Sequence, residues 1–110
     1  MSEALRDCEP IYSQLGGDPD LAEIVNLFVE EMPERVASFE GFFAAGDLEG
    51  LRRAAHQLKG AAGSYGFDPI SPRAGELEAA ILSLAPEDEI RRCLDELVDI
   101  CQRARAGAPQ

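Results

Sequence analysis

Between Leu21 and Phe43 the apolar residues recur three or four positions apart: Leu21, Ile24, Val25, Phe28, Met32, Val36, Phe39 and Phe43. That is the period of an amphipathic helix, and no stretch of the chain alternates with period two for long enough to argue a strand. Helices of this kind must bury one face against neighbours, so the stripe already points to a packed helical fold. Pro33 falls inside it. Proline removes one backbone hydrogen bond and crowds the preceding turn, so a kink or a break is expected there. The stripe continues in phase across Pro33, which favours a kink.

The remaining punctuation divides the chain into further helices. Asp18-Pro19 reads as an N-cap followed by proline in the first helical position. Gly46 supplies a stop and Asp47 the next cap. The second helix carries Leu48, Leu51, Ala55, Leu58, Ala62 and Tyr65, a narrow seam suited to packing among helices. Gly66 ends it and Asp68-Pro69 makes a turn. Ser71-Pro72 opens a third helix, stapled by Ile70, with Ala74, Leu77, Ile81 and Leu84 as its apolar positions. Pro86 opens a fourth, carrying Ile90, Cys93, Leu94, Leu97, Ile100, Cys101 and Ala104. The expected fold is all-α, an antiparallel four-helix bundle with an N-terminal extension. Residues 1–17 form the extension, with Ile11, Tyr12 and Leu15 placed to lie over one end of the bundle, as a turn of helix or as irregular chain. Residues 18–106 form the bundle and 107–110 a frayed tail.

Composition limits the function classes. A chain of 110 residues fits one domain. No apolar run approaches the ~20 residues that cross a bilayer, and MSEALRDCEP does not resemble a signal peptide. Cys8, Cys93 and Cys101 are odd in number and lack CxxC spacing, which argues against a disulfide framework and a zinc site and favours a cytoplasmic location. Cys93 and Cys101 read as small buried apolar groups. Asp18 and Asp20 lack the spacing of a calcium loop, and Glu30, Glu31 and Glu34 read as a solvated face. The net charge of −11 disfavours nucleic acid and anionic membranes as partners. No glycine-rich phosphate loop appears, so no nucleotide cofactor is expected, and no metal. Met1 and the soft ending favour a whole protein.

The only histidine, His56, lies in the second helix. On a wheel of about 100° per residue it falls roughly 130° from the centre of the apolar seam, facing solvent or a shallow groove. Between Gly50 and Phe67 there is no Asp or Glu, but there are Arg52, Arg53 and Lys59: a basic island in an acidic chain. Gly60 and Gly63 flank the stretch Gly-Ala-Ala-Gly, and glycine inside a helix costs about 0.5–1 kcal/mol against alanine. Bare backbone there suits the approach of something bulky. An exposed imidazole is nucleophilic at nitrogen near neutral pH. Together these features suit a histidine that accepts a phosphoryl group, with Lys59 supplying positive charge to its oxygens and Gly60 clearing the approach.

HQLKGAAGSYG resembles the H-x-L-K-G-x-x-x-x-x-G signature of histidine phosphotransfer (HPt) domains. AAGDLEGLRRAA is similar to that family's run into the motif, LAEIVNLFVEEMPERV to its first bundle helix, and RAGELEAAI, less closely, to its third. The resemblance covers roughly residues 18–104. It implies a phosphocarrier, not a stand-alone enzyme: a monomer that takes a phosphoryl group on His56 from one receiver-domain aspartate and passes it to another. The magnesium for that transfer would belong to the receiver. The implied partners are response-regulator receiver domains, and a hybrid histidine kinase is a further candidate. His56 would be the phosphorylated residue, supported by Lys59 and Gly60. Arg52, Arg53, Gln57, Gly63 and Ser64 are candidate rim contacts, with Phe42 a further one, and Gly66 a structural helix end. Ala61 departs from the family, which often has a hydroxyl residue there. A degenerate receiver-binding bundle and the phosphotransfer domain of a chemotaxis-type kinase are the alternative readings.

Overall fold

The computed structural model describes residues 9–15 and 17–106. Five helices follow one another: α1 (Ala22–Glu30), α2 (Met32–Ala44), α3 (Leu48–Ser64), α4 (Ile70–Leu82) and α5 (Glu87–Gln102). Two short strands, β1 (Ile11–Tyr12) and β2 (Ala104–Arg105), flank them. α1 and α2 are separated only by Glu31, which keeps right-handed helical dihedrals (φ −80°, ψ −12°). The interruption falls two residues before Pro33, whose missing N–H leaves the helical ladder incomplete at that turn. α1 and α2 together therefore supply the first arm of an all-α bundle, and α3, α4 and α5 the other three.

The helix packing is antiparallel. α3 meets α4 through His56–Glu78 and Lys59–Ser71, whose numbers run in opposite directions along the two helices. α2 is clasped to α5 by Arg91, which forks onto Glu40 at 2.7 and 2.9 Å and lies 5.1 Å from the centre of the Phe43 ring. The core is the sum of the apolar seams: Leu51, Ala55, Leu58 and Ala62 of α3 are fully buried against Val25, Phe28, Phe39, Leu77, Leu94 and Leu97. Phe28 stacks on Phe67 at 5.2 Å and tilts against Tyr65 at 5.1 Å, closing the end of the bundle where α3 stops. Cys93 and Cys101 are buried, and burial pushes the Cys101 thiol up to about 12.

Several local boundaries differ from the sequence expectation. α1 starts at Ala22, not after Asp18-Pro19. Asp18 instead closes a turn, accepting from the Asp20 and Leu21 amides. α4 starts at Ile70 with Pro69 as its cap, so Ser71 is already inside the helix, where its hydroxyl donates to the Lys59 carbonyl at 2.6 Å. The first residues described are not purely irregular chain. β1 pairs in parallel with β2, Ile11 opposite Ala104, in strands too short to show a period. Beyond β1, the buried Ser13 hydroxyl donates to the Tyr65 carbonyl, and the Gln14 amide donates to Gly66 at 2.9 Å. The expectations for residues 1–8 and 107–110 lie outside the described residues.

Three helices end in the same backbone motif. After α2, α3 and α4 the amide of the second residue past the cap donates to a carbonyl five residues back: Asp47 to Phe42, Phe67 to Ala62, Ala85 to Ala80. The residue between must adopt a left-handed conformation, which glycine tolerates best. Gly46 (φ 72°) and Gly66 (φ 80°) occupy it after α2 and α3. After α4 it is Leu84 (φ 59°), a choice that costs about 1–2 kcal/mol. Leu84 was expected on the buried stripe; the motif turns it out of the bundle, leaving it 89% exposed.

Candidate functional site

α3 begins where Asp47 caps it, its carboxylate accepting from the Gly50 amide at 2.9 Å. Leu51, Ala55, Leu58 and Ala62 turn inward, which fixes the rotation of the helix. His56 is thereby set on the outer face, 62% exposed, as the wheel indicated. Arg52 and Lys59 flank it on the side of α4, and Gly60 is exposed, with open space where a Cβ would stand.

The residue that organises this face is Glu78 of α4, which the sequence reading did not select. Its side chain is only 11% exposed. One oxygen, Oε2, lies 2.9 Å from Nδ1 of His56 and 3.7 Å from Nη1 of Arg52. The other, Oε1, lies 3.3 Å from Nζ of Lys59. Burial pushes the Glu78 carboxyl up, but the hydrogen bond from Lys59 and the charges of His56 and Lys59 outweigh it, and the group is held below the usual carboxylate value. Glu78 is therefore an anion at neutral pH and can only accept, so Nδ1 of His56 carries the proton in this contact. In the neutral ring the lone pair then lies on Nε2, on the opposite edge.

The basic island is thus not free charge. Arg52 also forks onto Glu49 at 3.0 and 2.6 Å, and Arg53 lies 3.7 Å from the same carboxylate. Lys59 reaches Glu78 across Gly75 of α4, where an added Cβ would stand 3.3 Å from the lysine Cδ. Gly63 faces Ser71, whose hydroxyl would lie 3.4 Å from an added Cβ, so its first role in the fold is this helix contact. Gln57 and Arg53 lie on the other flank of α3, lining a shallow groove with Phe42 and Ala54 of the α2–α3 junction. Ser64 is exposed at the last position of α3. The structure brings His56, Lys59 and Arg52 together around Glu78 and leaves Arg53, Gln57 and Ser64 on the periphery.

The signal for Glu78 was present in the sequence. It stands four residues after Ala74 and three before Ile81, on the stripe that α4 buries. A carboxylate on a buried stripe requires partners. Among the described residues no cluster of three or more His, Cys, Asp or Glu could hold a metal ion, and no helix is long and apolar enough to cross a membrane.

The bundle thus orients one exposed imidazole by a buried carboxylate, with a lysine at the same carboxylate, an arrangement chemically able to present a ring nitrogen as a nucleophile. The family model for the Hpt domain matches residues 23–107, and the chain belongs to that family. Hpt domains are phosphocarrier modules that serve histidine phosphotransfer in phosphorelays, and they interact with receiver domains and histidine kinases. Searches of curated proteins and of solved structures returned no match.

Proposed function

We propose that His56 is the phosphorylated residue and that the chain shuttles a phosphoryl group between receiver-domain aspartates in a multistep phosphorelay. The observation that carries this reading is the 2.9 Å contact of Glu78 with Nδ1. It orients the ring, holds the proton on Nδ1 and leaves Nε2 as the nucleophile on an exposed edge.

In the forward step the Nε2 lone pair attacks phosphorus in line with the bond to the donor aspartate. The N–P bond forms as that P–O bond breaks, and the aspartate leaves as a free carboxylate. Positive charge that develops on the ring is stabilised by Glu78 at Nδ1. Lys59, one helical turn from His56, would exchange Glu78 for the transferring oxygens, and the bare backbone at Gly60 leaves room for the donor's active site. The return step to a second receiver reverses the same bonds. Arg52 is held by Glu49 and Glu78, which suits it to shaping the field around the ring. Arg53, Gln57 and Ser64 would contribute only to the rim of the docked complex, and Gly63 through its helix contact.

The test is phosphoryl transfer from a panel of phosphorylated receiver domains to the wild type and to His56→Gln. An acid-labile, base-stable label on the wild type and none on the variant is expected, because the chain has one histidine. Receiver binding without label on the wild type would replace the carrier by a degenerate binding module.

A further inference from the structure

The phosphotransfer face extends along α4 beyond Glu78. Ser71, Gly75, Glu78 and Leu82 recur four, three and four residues apart, which places them on one face of the helix. The first three meet α3 through Gly63, Lys59 and His56 in turn. Leu82 lies one turn past Glu78, on the side of Arg52, and is 63% exposed. Leu84 follows it, 89% exposed and held in the left-handed conformation. Leu48 is exposed at the start of α3, which the antiparallel packing sets at the same end of the bundle.

Leu84 combines two features that packing does not explain. At the two other helix ends with this backbone motif the chain uses glycine, Gly46 and Gly66. At the third it uses a β-carbon-bearing residue at a cost in strain, and the side chain makes up for none of it by burial. Strain of this kind, kept at an exposed position, points to function.

We infer that Leu82 and Leu84 form an apolar docking contact for the receiver domain that exchanges its phosphoryl group with His56. This inference rests on the carrier reading. The occupant follows from continuity with the reacting face. Glu78, which touches His56, is about 6 Å along the helix axis from Leu82. A partner covering about 800 Å² of this protein spans roughly 30 Å. A receiver centred on His56 and reaching along α4 therefore covers Leu82 and borders Leu84. The polar cluster of Arg52, His56 and Lys59 around Glu78 lies at the centre of that footprint, and the leucines supply the apolar contact that it lacks.

Leu84→Gly is the informative variant, because glycine relaxes the backbone and removes the side chain together. Its Tm should rise by about 2–5 °C. Loading of His56 by phosphoramidate, a small donor that needs no docking, should match the wild type. Transfer from a phosphorylated receiver should slow by about 5–20-fold. Leu82→Asn should slow the same transfer without the rise in Tm. Wild-type receiver rates in both variants would overturn the inference and leave the carrier reading intact. A wild type loaded by phosphoramidate that exchanges with no receiver would overturn both. Self-association of the chain, relieved by Leu84→Gly in sedimentation, would assign the patch to a second copy and overturn the inference.

Discussion

The two flanks of α3 are built on different physics. Toward α4 the contacts are polar and matched in register: the Ser71 hydroxyl on the Lys59 carbonyl, Lys59 over Gly75, His56 and Arg52 on Glu78. Toward α2 the contact is steric. A Cβ on Gly50 would lie 2.7 Å from the Phe42 ring, and Ala54, Gln57 and Arg53 line a shallow groove beside it. The first flank fixes protonation and charge around one imidazole; the second fixes how closely two helices approach. Substitutions on the two flanks should therefore separate chemistry from stability.

The largest effect is expected at Lys59. Lys59→Ala should slow transfer from a phosphorylated receiver by about 10²-fold with the fold intact by circular dichroism, since on the proposed carrier reading the transferring oxygens lose their cation. Glu78→Gln comes next, slowing transfer by about 10–100-fold as the ring loses its anionic anchor. On the other flank, Gly50→Ala should cost about 1–3 kcal/mol in urea unfolding, because the Phe42 ring and the capping Asp47 carboxylate, each 2.7 Å from the added Cβ, must move. The folded fraction of that variant should transfer at close to the wild-type rate. Arg53→Ala and Gln57→Ala should change transfer by less than about threefold, as rim positions do. Equal losses on both flanks would remove the distinction.

Acid sharpens the same contrast. The Glu78 carboxyl is held below its ordinary value of 4.5, burial opposing and Lys59 and His56 prevailing. A carboxylate with a depressed folded pKa contributes stability above its unfolded pKa and loses it as pH falls through the folded value. The gap in unfolding free energy between wild type and Glu78→Gln should therefore be full at neutral pH and should close below pH 4.5. On the other flank Gln57→Ala, which removes no charged group, should open no pH-dependent gap from the wild type across that range.

These contrasts also mark where the sequence was legible. His56, Lys59 and Gly60 lie within little more than one turn of a single helix, so the period of that helix placed them without tertiary knowledge. The buried seams of α3, apart from Leu48 exposed at its start, and of α5 followed for the same reason. Glu78 lies 22 residues from His56 on another helix, and the acid-free stretch from Gly50 to Phe67 made the basic island look uncompensated. Only the pairing of helices supplies its counter-charge. Leu84 continued the apolar spacing of α4, but spacing carries no information about where a helix stops. The left-handed turn ended the helix at Leu82 and turned the leucine outward. Ser71 beside Pro72 has the composition of a helix start, and the earlier start at Ile70 freed its hydroxyl for Lys59.

The central claim is that Glu78 holds the proton on Nδ1 and leaves Nε2 free to attack. With one histidine in the chain, the imidazole nitrogens of uniformly ¹⁵N-labelled protein give a single assignable pair of resonances. Recorded above the titration of the ring, the neutral wild type should carry its proton on Nδ1, and Glu78→Gln should shift that population toward Nε2. A neutral wild-type ring protonated at Nε2 would contradict the assignment of Nε2 as the nucleophile and of Glu78 as the group that prepares it.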